Sequence, residues 1–169
     1  MSLKWYALRS KPRMEDMVWQ QLVAKELETF YPRLRVHPVN PRSKKIKPYF
    51  PGYLFVKVDL EETGISFLKW MPHTLGLVSF GGEPAQVPDN LIFALKKRVQ
   101  EINEAGGEVF DGLQSGDTVY IHSGPFKGYE AIFDSRVPGK ERVRVLLQLL
   151  DQKRSIPAEI GASQIRKKT

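Results

Sequence analysis

One run, Phe50-Pro51-Gly52-Tyr53-Leu54-Phe55-Val56-Lys57-Val58, constrains the fold more than any other stretch of the chain. Tyr53–Val58 carries the strongest strand signal, because aromatic and β-branched side chains suit a pleated, half-buried surface. With a period of two, Leu54, Val56 and Val58 share one face, while Tyr53, Phe55 and Lys57 share the other. If helices cover only one side of the sheet, the aliphatic face turns inward. Tyr53 and Phe55 then lie on the open side with Phe50 nearby, and an exposed aromatic patch of that kind marks a partner surface. The alternative is that a loop or a second domain covers them.

The flanking segments supply the rest of such a sheet. Trp5–Arg9 reads as a short central strand, broken by Lys11-Pro12. A helix is expected from about Arg13 to Phe30, with Val18, Trp19, Leu22, Val23, Leu27 and Phe30 on one side. Segment 33–40 reads as a weak strand, Gly64–Met71 as a short helix and Leu77–Phe80 as a strand. Pro88-Asp89 opens a last helix with Ile92, Leu95, Val99 and Ile102 inward and Lys96-Lys97-Arg98 toward solvent. The order β-α-β-β-α-β-α predicts an α+β fold, a ferredoxin-like antiparallel sheet with helices on one face.

Charge divides the chain. Residues 1–100 carry a net +7, residues 101–113 carry −4 and residues 114–169 carry +4. The acidic stretch contains Ala105-Gly106-Gly107, a helix stop followed by flexible chain. This predicts a first domain over 1–104, a linker over 105–113 and a second domain over 114–169. The second is punctuated by Gly116, Gly124, Gly128 and Pro138-Gly139, with alternating runs between them. A small SH3-like β-barrel follows, since closure removes exposed edges. Glu141–Lys153 satisfies two periods at once: Val143, Val145, Leu147 and Leu149 share a strand face, whereas Val143, Leu146, Leu147 and Leu150 form a helical stripe with Arg142, Arg144 and Gln148 outside it. The β-branched valines and the Pro138-Gly139 turn favour the strand.

Chemistry is sparse. With no cysteine among 169 residues, disulfides, thiol nucleophiles and Cys-based zinc sites are excluded. His37, His73 and His122 have neither triad nor metal-ligand spacing, and Gly124-Pro125-Phe126-Lys127-Gly128 lacks the length and Lys-Ser/Thr ending of a P-loop. The expectation is a binding protein with no catalytic residues, metal or cofactor. The start has no apolar signal region and no apolar stretch reaches membrane-spanning length, so a soluble, cytoplasmic protein without membrane partners is expected.

The formal charge of +7 favours anionic partners. From Tyr31 through Val58 there is no Asp or Glu but seven basic residues. Four of these, Arg42, Lys44, Lys45 and Lys47, crowd one loop, and such an arm either lies along a phosphate backbone or merely solubilises a loop tip. Lys11 and Arg13 extend the same basic surface.

These residues together resemble the NusG-type transcription elongation factors. Lys4-Trp5-Tyr6, the run from Phe50 to Val56, and His73-Thr74 followed by Gly76 and Val78 are similar to landmarks of that family's N-terminal (NGN) domain. Gly116-Asp117 with Val119, then Gly124-Pro125-Phe126 and Gly128, resemble its C-terminal KOW motif. The resemblance implies a monomeric, non-enzymatic regulator that docks an apolar patch on a clamp coiled coil of RNA polymerase and bridges the cleft. Carried over, Phe50, Tyr53 and Phe55, with Tyr6 of the first strand, match the clamp-binding patch. His73 and Thr74 fall in the loop facing the opposite pincer. Lys11, Arg13, Arg42, Lys44, Lys45 and Lys47 become contacts to nucleic acid near the transcription bubble. Phe126 matches an exposed barrel aromatic that recruits a ribosomal protein or a termination factor, although on the residues alone Phe126 equally caps the barrel core.

Leu146-Leu147-Gln148-Leu149-Leu150 and the segment Gly81–Pro88 are closer to the specialised, operon-restricted RfaH-like branch than to housekeeping members. In that branch the barrel refolds into a helical hairpin that masks the polymerase-binding patch, but here the strand signals argue for a constitutive barrel. A different class of function, a ribosome-associated RNA-binding KOW protein, is the alternative. The concentration of charge in the first domain favours a protein partner for the barrel.

Overall fold

The computed structural model describes residues 3–35, 46–105, 118–121, 130–151 and 165–168. In chain order the first elements are β1 (Lys4–Ser10), α1 (Glu15–Ala24), β2 (Glu28–Phe30), β3 (Arg33–Arg35), β4 (Ile46–Pro48) and β5 (Tyr53–Val58). Next come α2 (Leu60–Thr63), α3 (Ile65–Trp70), β6 (Thr74–Leu77), β7 (Ser79–Phe80), β8 (Glu83–Pro84), β9 (Gln86–Val87) and α4 (Asp89–Glu104). Then follow β10 (Thr118–Ile121), a 3-10 turn over Glu130–Phe133, α5 (Gly139–Asp151) and β11 (Ile165–Lys168).

The main sheet is antiparallel with the order β2-β5-β1-β6. β1 pairs along one side with β5, placing Tyr6 opposite Val56, Ala7 opposite Phe55 and Leu8 opposite Leu54. Its other side is shared: Leu8–Ser10 meet β6, and Trp5 and Tyr6 meet β9. β3 and β4 form a separate hairpin beside the sheet, and β10 pairs antiparallel with β11. The mixed class of antiparallel sheet and helices is as expected.

The arrangement of the helices is not. Leu8, Leu54, Val56 and Val58 pack with Val18 and Leu22 of α1 and Leu68 of α3. Trp5, Ala7 and Phe55, on the alternate positions, pack with Leu91, Ile92, Leu95, Val99 and Ile102 of α4. The sheet is therefore covered on both faces, because β1 and β5 are apolar on both and each face removes its own area from water.

α1 also stops six residues before the expected end at Phe30. Glu26 takes a left-handed conformation (φ 61°), while the Lys25 and Leu27 amides close back on Leu22 O. The chain then returns as the edge strand β2, where Phe30 stacks on Phe55 at 5.7 Å between ring centroids. An apolar residue counted as the end of a helical stripe is spent on a cross-strand pair instead.

The largest departure is α5. Residues 139–151 form a helix, where the alternation of Val143 and Val145 favoured a strand. The buried stripe is Arg142, Val145, Leu146, Leu149 and Leu150, a spacing of 3, 4, 7 and 8 from its first member that suits one helical face. It differs from the stripe expected on hydrophobicity because Arg142 occupies a core position. A helix of this length is marginal in water on its own, so packing of that stripe supplies its stability. Asp134 prepares the entry, accepting bonds from the Arg136 amide, Nε and Nη2 at 2.9–3.0 Å.

Candidate functional site

The face of β5 that carries Tyr53 and Phe55 was expected to be open; it is closed. Phe50 and Phe55 are both fully buried, and Tyr53 is half-buried. Phe50 meets Tyr49 and Phe55 edge-on, with centroids 5.0 and 5.8 Å apart. These rings belong to one packed cluster with Ile132 and Phe133 of the 3-10 turn and with Val145, Leu146, Leu149 and Leu150 of α5. The alternative reading, in which the second part of the chain covers the aromatics, is the one observed. Burying each of the four α5 side chains is worth roughly 2 kcal/mol before the entropy of ordering the helix is charged against it.

Polar contacts fix where the cover sits. The buried Arg142 guanidinium donates from Nε to Tyr49 O at 2.8 Å, from Nη1 to Ser135 O at 3.2 Å, and also to Val137 O. It lies 4.1 Å over the Tyr49 ring. Tyr49 in turn donates its hydroxyl to Ile132 O at 2.7 Å, and burial pushes its phenol up to about 12. On the α4 side, Arg98 donates from Nε to Phe133 O at 2.8 Å. Arg98 was expected on the solvent side of α4; it is buried, and that burial lowers its pKa from the ordinary guanidinium value. Two arginines and a tyrosine thus hold the cover in one register, supplying directional bonds that apolar packing lacks.

Tyr6 does not belong to this surface. The β1–β5 register places it beside Leu8 on the α1 side, opposite Val56, so the period-two rule removes it from the patch. Trp5 occupies the face that Tyr6 was expected to share, with the Lys96 ammonium 5.2 Å from its ring.

His73 and Thr74 have different positions. Thr74 is buried, and its hydroxyl is within bonding distance of Leu68 O, Lys69 O and Met71 O at 2.7, 3.2 and 2.9 Å, so it ties the end of α3 to β6. His73 is half-exposed with φ 71°. Its carbonyl accepts the Lys11 amide at 2.9 Å, which places it against the β1–α1 turn. Arg13 in that turn has φ 65°. Two non-glycine residues in the left-handed region thus sit at neighbouring loops, where backbone strain commonly accompanies function. Lys11 and Arg13 are exposed there.

Of the basic arm, Lys47 lies exposed on β4 at the base of the β3–β4 hairpin; Arg42, Lys44 and Lys45 lie outside the described residues, as does Phe126. Tyr49, Arg98 and Arg142 are the participants that sequence reasoning missed. A charged residue at a core-stripe position was the one signal of Arg142. Trp70, 77% exposed next to the His73 loop, also went unnoticed because its helix is too short to show a period.

An antiparallel α/β domain whose aromatic sheet face is closed by a helix from its own C-terminal segment defines the class of protein. A family profile described as "Transcription termination factor nusG" matches residues 3–96. The chain belongs to the NusG family. The transcription termination/antitermination protein NusG of Deinococcus radiodurans is 26% identical over 194 residues, covering 99% of this chain and 100% of that one. The protein of that description from Buchnera aphidicola is 21% identical, covering 97% and 96%. The Escherichia coli K12 protein is 23% identical over 127 residues, covering 75% and 68%. A solved structure described as "Domain interaction in Thermotoga maritima NusG" aligns with TM-score 0.47 and 26% identity, over 75% of this chain and 76% of that one. Among the described residues no helix is long and apolar enough to cross a membrane.

Proposed function

We propose that this chain is a transcription elongation and antitermination factor that binds RNA polymerase through the face carrying Phe50, Tyr53 and Phe55, and that α5 holds this face covered until polymerase or another partner displaces it. The observation that carries the reading is the burial of Phe50 and Phe55 in one cluster with α5, in a chain of the NusG family. The cover over the docking surface, together with the leucine-rich run Leu146-Leu147-Gln148-Leu149-Leu150, favours the specialised, RfaH-like role over a housekeeping one.

In this reading the clamp coiled coil takes the place of α5 on the aromatic face. His73 faces the opposite pincer and Thr74 positions it. Lys11 and Arg13, with the arm of Arg42, Lys44, Lys45 and Lys47, follow nucleic acid near the bubble through contacts that add affinity without sequence choice. The chain divides into an N-terminal domain to residue 104, a linker over 105–113 and a C-terminal KOW unit over 114–169. Once undocked, Val143, Val145, Leu147 and Leu149 satisfy a strand period, and α5 alone is too short to persist. The freed segment then completes a barrel whose Phe126 recruits a ribosomal protein or a termination factor.

Affinity of the full chain for core RNA polymerase tests this, with Leu146→Asp plus Leu150→Asp as the releasing variant, both buried on α5 and both off the strand face. A carboxylate at each buried position costs several kcal/mol in the docked state only. The variant is expected to bind polymerase at least tenfold tighter than wild type. Absence of binding by both proteins would reject the assignment; equal, tight binding by both would reject the cover.

A further inference from the structure

A groove of about 600 Å³ opens where α5 begins, between the β1–α1 turn and the β3–β4 hairpin. This lies within the range of roughly 300–1,000 Å³ that small-molecule sites occupy. Its charged lining is Arg13, Arg33, Lys47 and Lys140 against Glu15 and Asp16, four cations to two carboxylates. Both carboxylates already accept protein hydrogen bonds: Glu15 Oε2 takes the Gly52 amide and Asp16 Oδ1 takes the Tyr31 hydroxyl, each at 2.8 Å. Arg33 is held in place with its guanidinium carbon 4.5 Å from the Trp19 ring and 4.8 Å from the Tyr31 ring. The uncharged part of the wall is apolar, formed by Pro48, Pro51 and Ile46 among others. A ligand that fits this lining has a flat, weakly polar body and a multiply charged anionic end.

We propose that the groove binds a free nucleoside phosphate, with its base against the proline surfaces and its phosphates between Arg13 and Lys140. The site is shared between the N-terminal domain and α5. Lys140 reaches it only when α5 is docked, and the Gly139 backbone is pressed so close to Pro51 that an added Cβ would lie 2.7 Å from that ring. A ligand that uses Lys140 therefore binds the covered state better than the released one, and by linkage stabilises the cover. This regulatory consequence rests on the function proposed above; the existence of the site does not.

Calorimetric titration of the full chain at low ionic strength with adenosine diphosphate and guanosine diphosphate, and separately with a short oligothymidylate, tests the proposal. Saturable binding of a diphosphate is expected. Lys140→Ala should weaken it about tenfold, the loss of one charge-assisted hydrogen bond. Arg13→Gly should do the same without imposing strain, since glycine accepts a positive φ. The releasing pair Leu146→Asp plus Leu150→Asp should bind as weakly as Lys140→Ala. No saturable binding of either diphosphate, or binding indifferent to Lys140→Ala, overturns the site; binding of the oligonucleotide alone reassigns the groove to a nucleic-acid strand and overturns it too. Diphosphate binding that depends on Lys140 in a protein that fails to bind polymerase would uphold the site while rejecting the proposed function.

Discussion

Replacing Arg142 with alanine strips three carbonyl oxygens, those of Tyr49, Ser135 and Val137, of the guanidinium that serves them. It also removes the cation over the Tyr49 ring. A hydrogen bond from a charged donor contributes about 1.5–3 kcal/mol and a desolvated cation–π contact about 2 kcal/mol. Against that gross sum stands the cost of keeping a guanidinium out of water, several kcal/mol, which disappears in the variant. The net loss of docking free energy is then about 2–4 kcal/mol, a fall in the docked-to-released ratio of roughly 30- to 700-fold. Arg142→Lys keeps the charge but loses the planar fork and should fall between the two. Amide hydrogen exchange of the full chain reads this directly: residues 139–151 and the β5 amides should lose protection together, while α1 keeps its own. Unchanged protection of both segments would refute the reasoning. Loss across α1 as well would show that Arg142 supports the whole domain and not the cover alone.

Tyr49 makes docking sensitive to alkali. Its buried phenol is raised to about 12 from an ordinary 10, and only the protonated form donates to Ile132 O; the contribution is whole below pH 10 and is lost between pH 10 and 12. Exchange protection of α5 followed over that window should fall, and Tyr49→Phe should remove this component. Gly139→Ala places a Cβ 2.7 and 2.8 Å from Pro51 Cγ and Cδ, so it should weaken docking by about 1–3 kcal/mol, with Pro51→Ala restoring it in the double variant. Phe55→Ala should lower the urea-unfolding free energy by about 3–5 kcal/mol as a core truncation, whereas Tyr53→Ala, on a half-buried ring, should cost much less. Neutralising Arg42, Lys44, Lys45 and Lys47 should flatten the log–log salt dependence of duplex DNA binding by roughly 0.9 for each phosphate no longer neutralised; an unchanged slope would take the arm off the nucleic acid.

Face assignments were legible because they depend only on local periodicity. Leu54, Val56 and Val58 were separable from Tyr53 and Phe55 by parity, and the stripe of Ile92, Leu95, Val99 and Ile102 by helical spacing; each apolar set is buried as a unit, on opposite faces of the sheet. Arg98 and Arg142 were misread as solvent-facing because hydrophobicity assigns charged groups outward. Each is instead buried with a carbonyl oxygen of a distant segment as acceptor. Tyr6 was grouped with the patch because both faces of β1 are apolar, and the register against Val56 puts it on the other face. The end of α1 was lost for a similar reason, since Phe30 fits a helical stripe as well as it fits a stack on Phe55.

By itself, then, the sequence determined which side chains had to leave water and in what local period: an antiparallel sheet with amphipathic helices, a basic first hundred residues and an aromatic face on β5. It left the partner of that surface open. The run from Val143 to Leu150 satisfies a period of 2 and a period of 3.6 alike, so pattern does not decide between them, and the β-branched valines tipped the expectation toward the strand. Tertiary structure decided, because the aromatic face offered an apolar seat wide enough for a helical stripe, with Tyr49 O, Ser135 O and Val137 O placed to receive Arg142. A strand in those residues would have left Phe50 and Phe55 in water, and a segment with two nearly equal local choices takes the one that buries more.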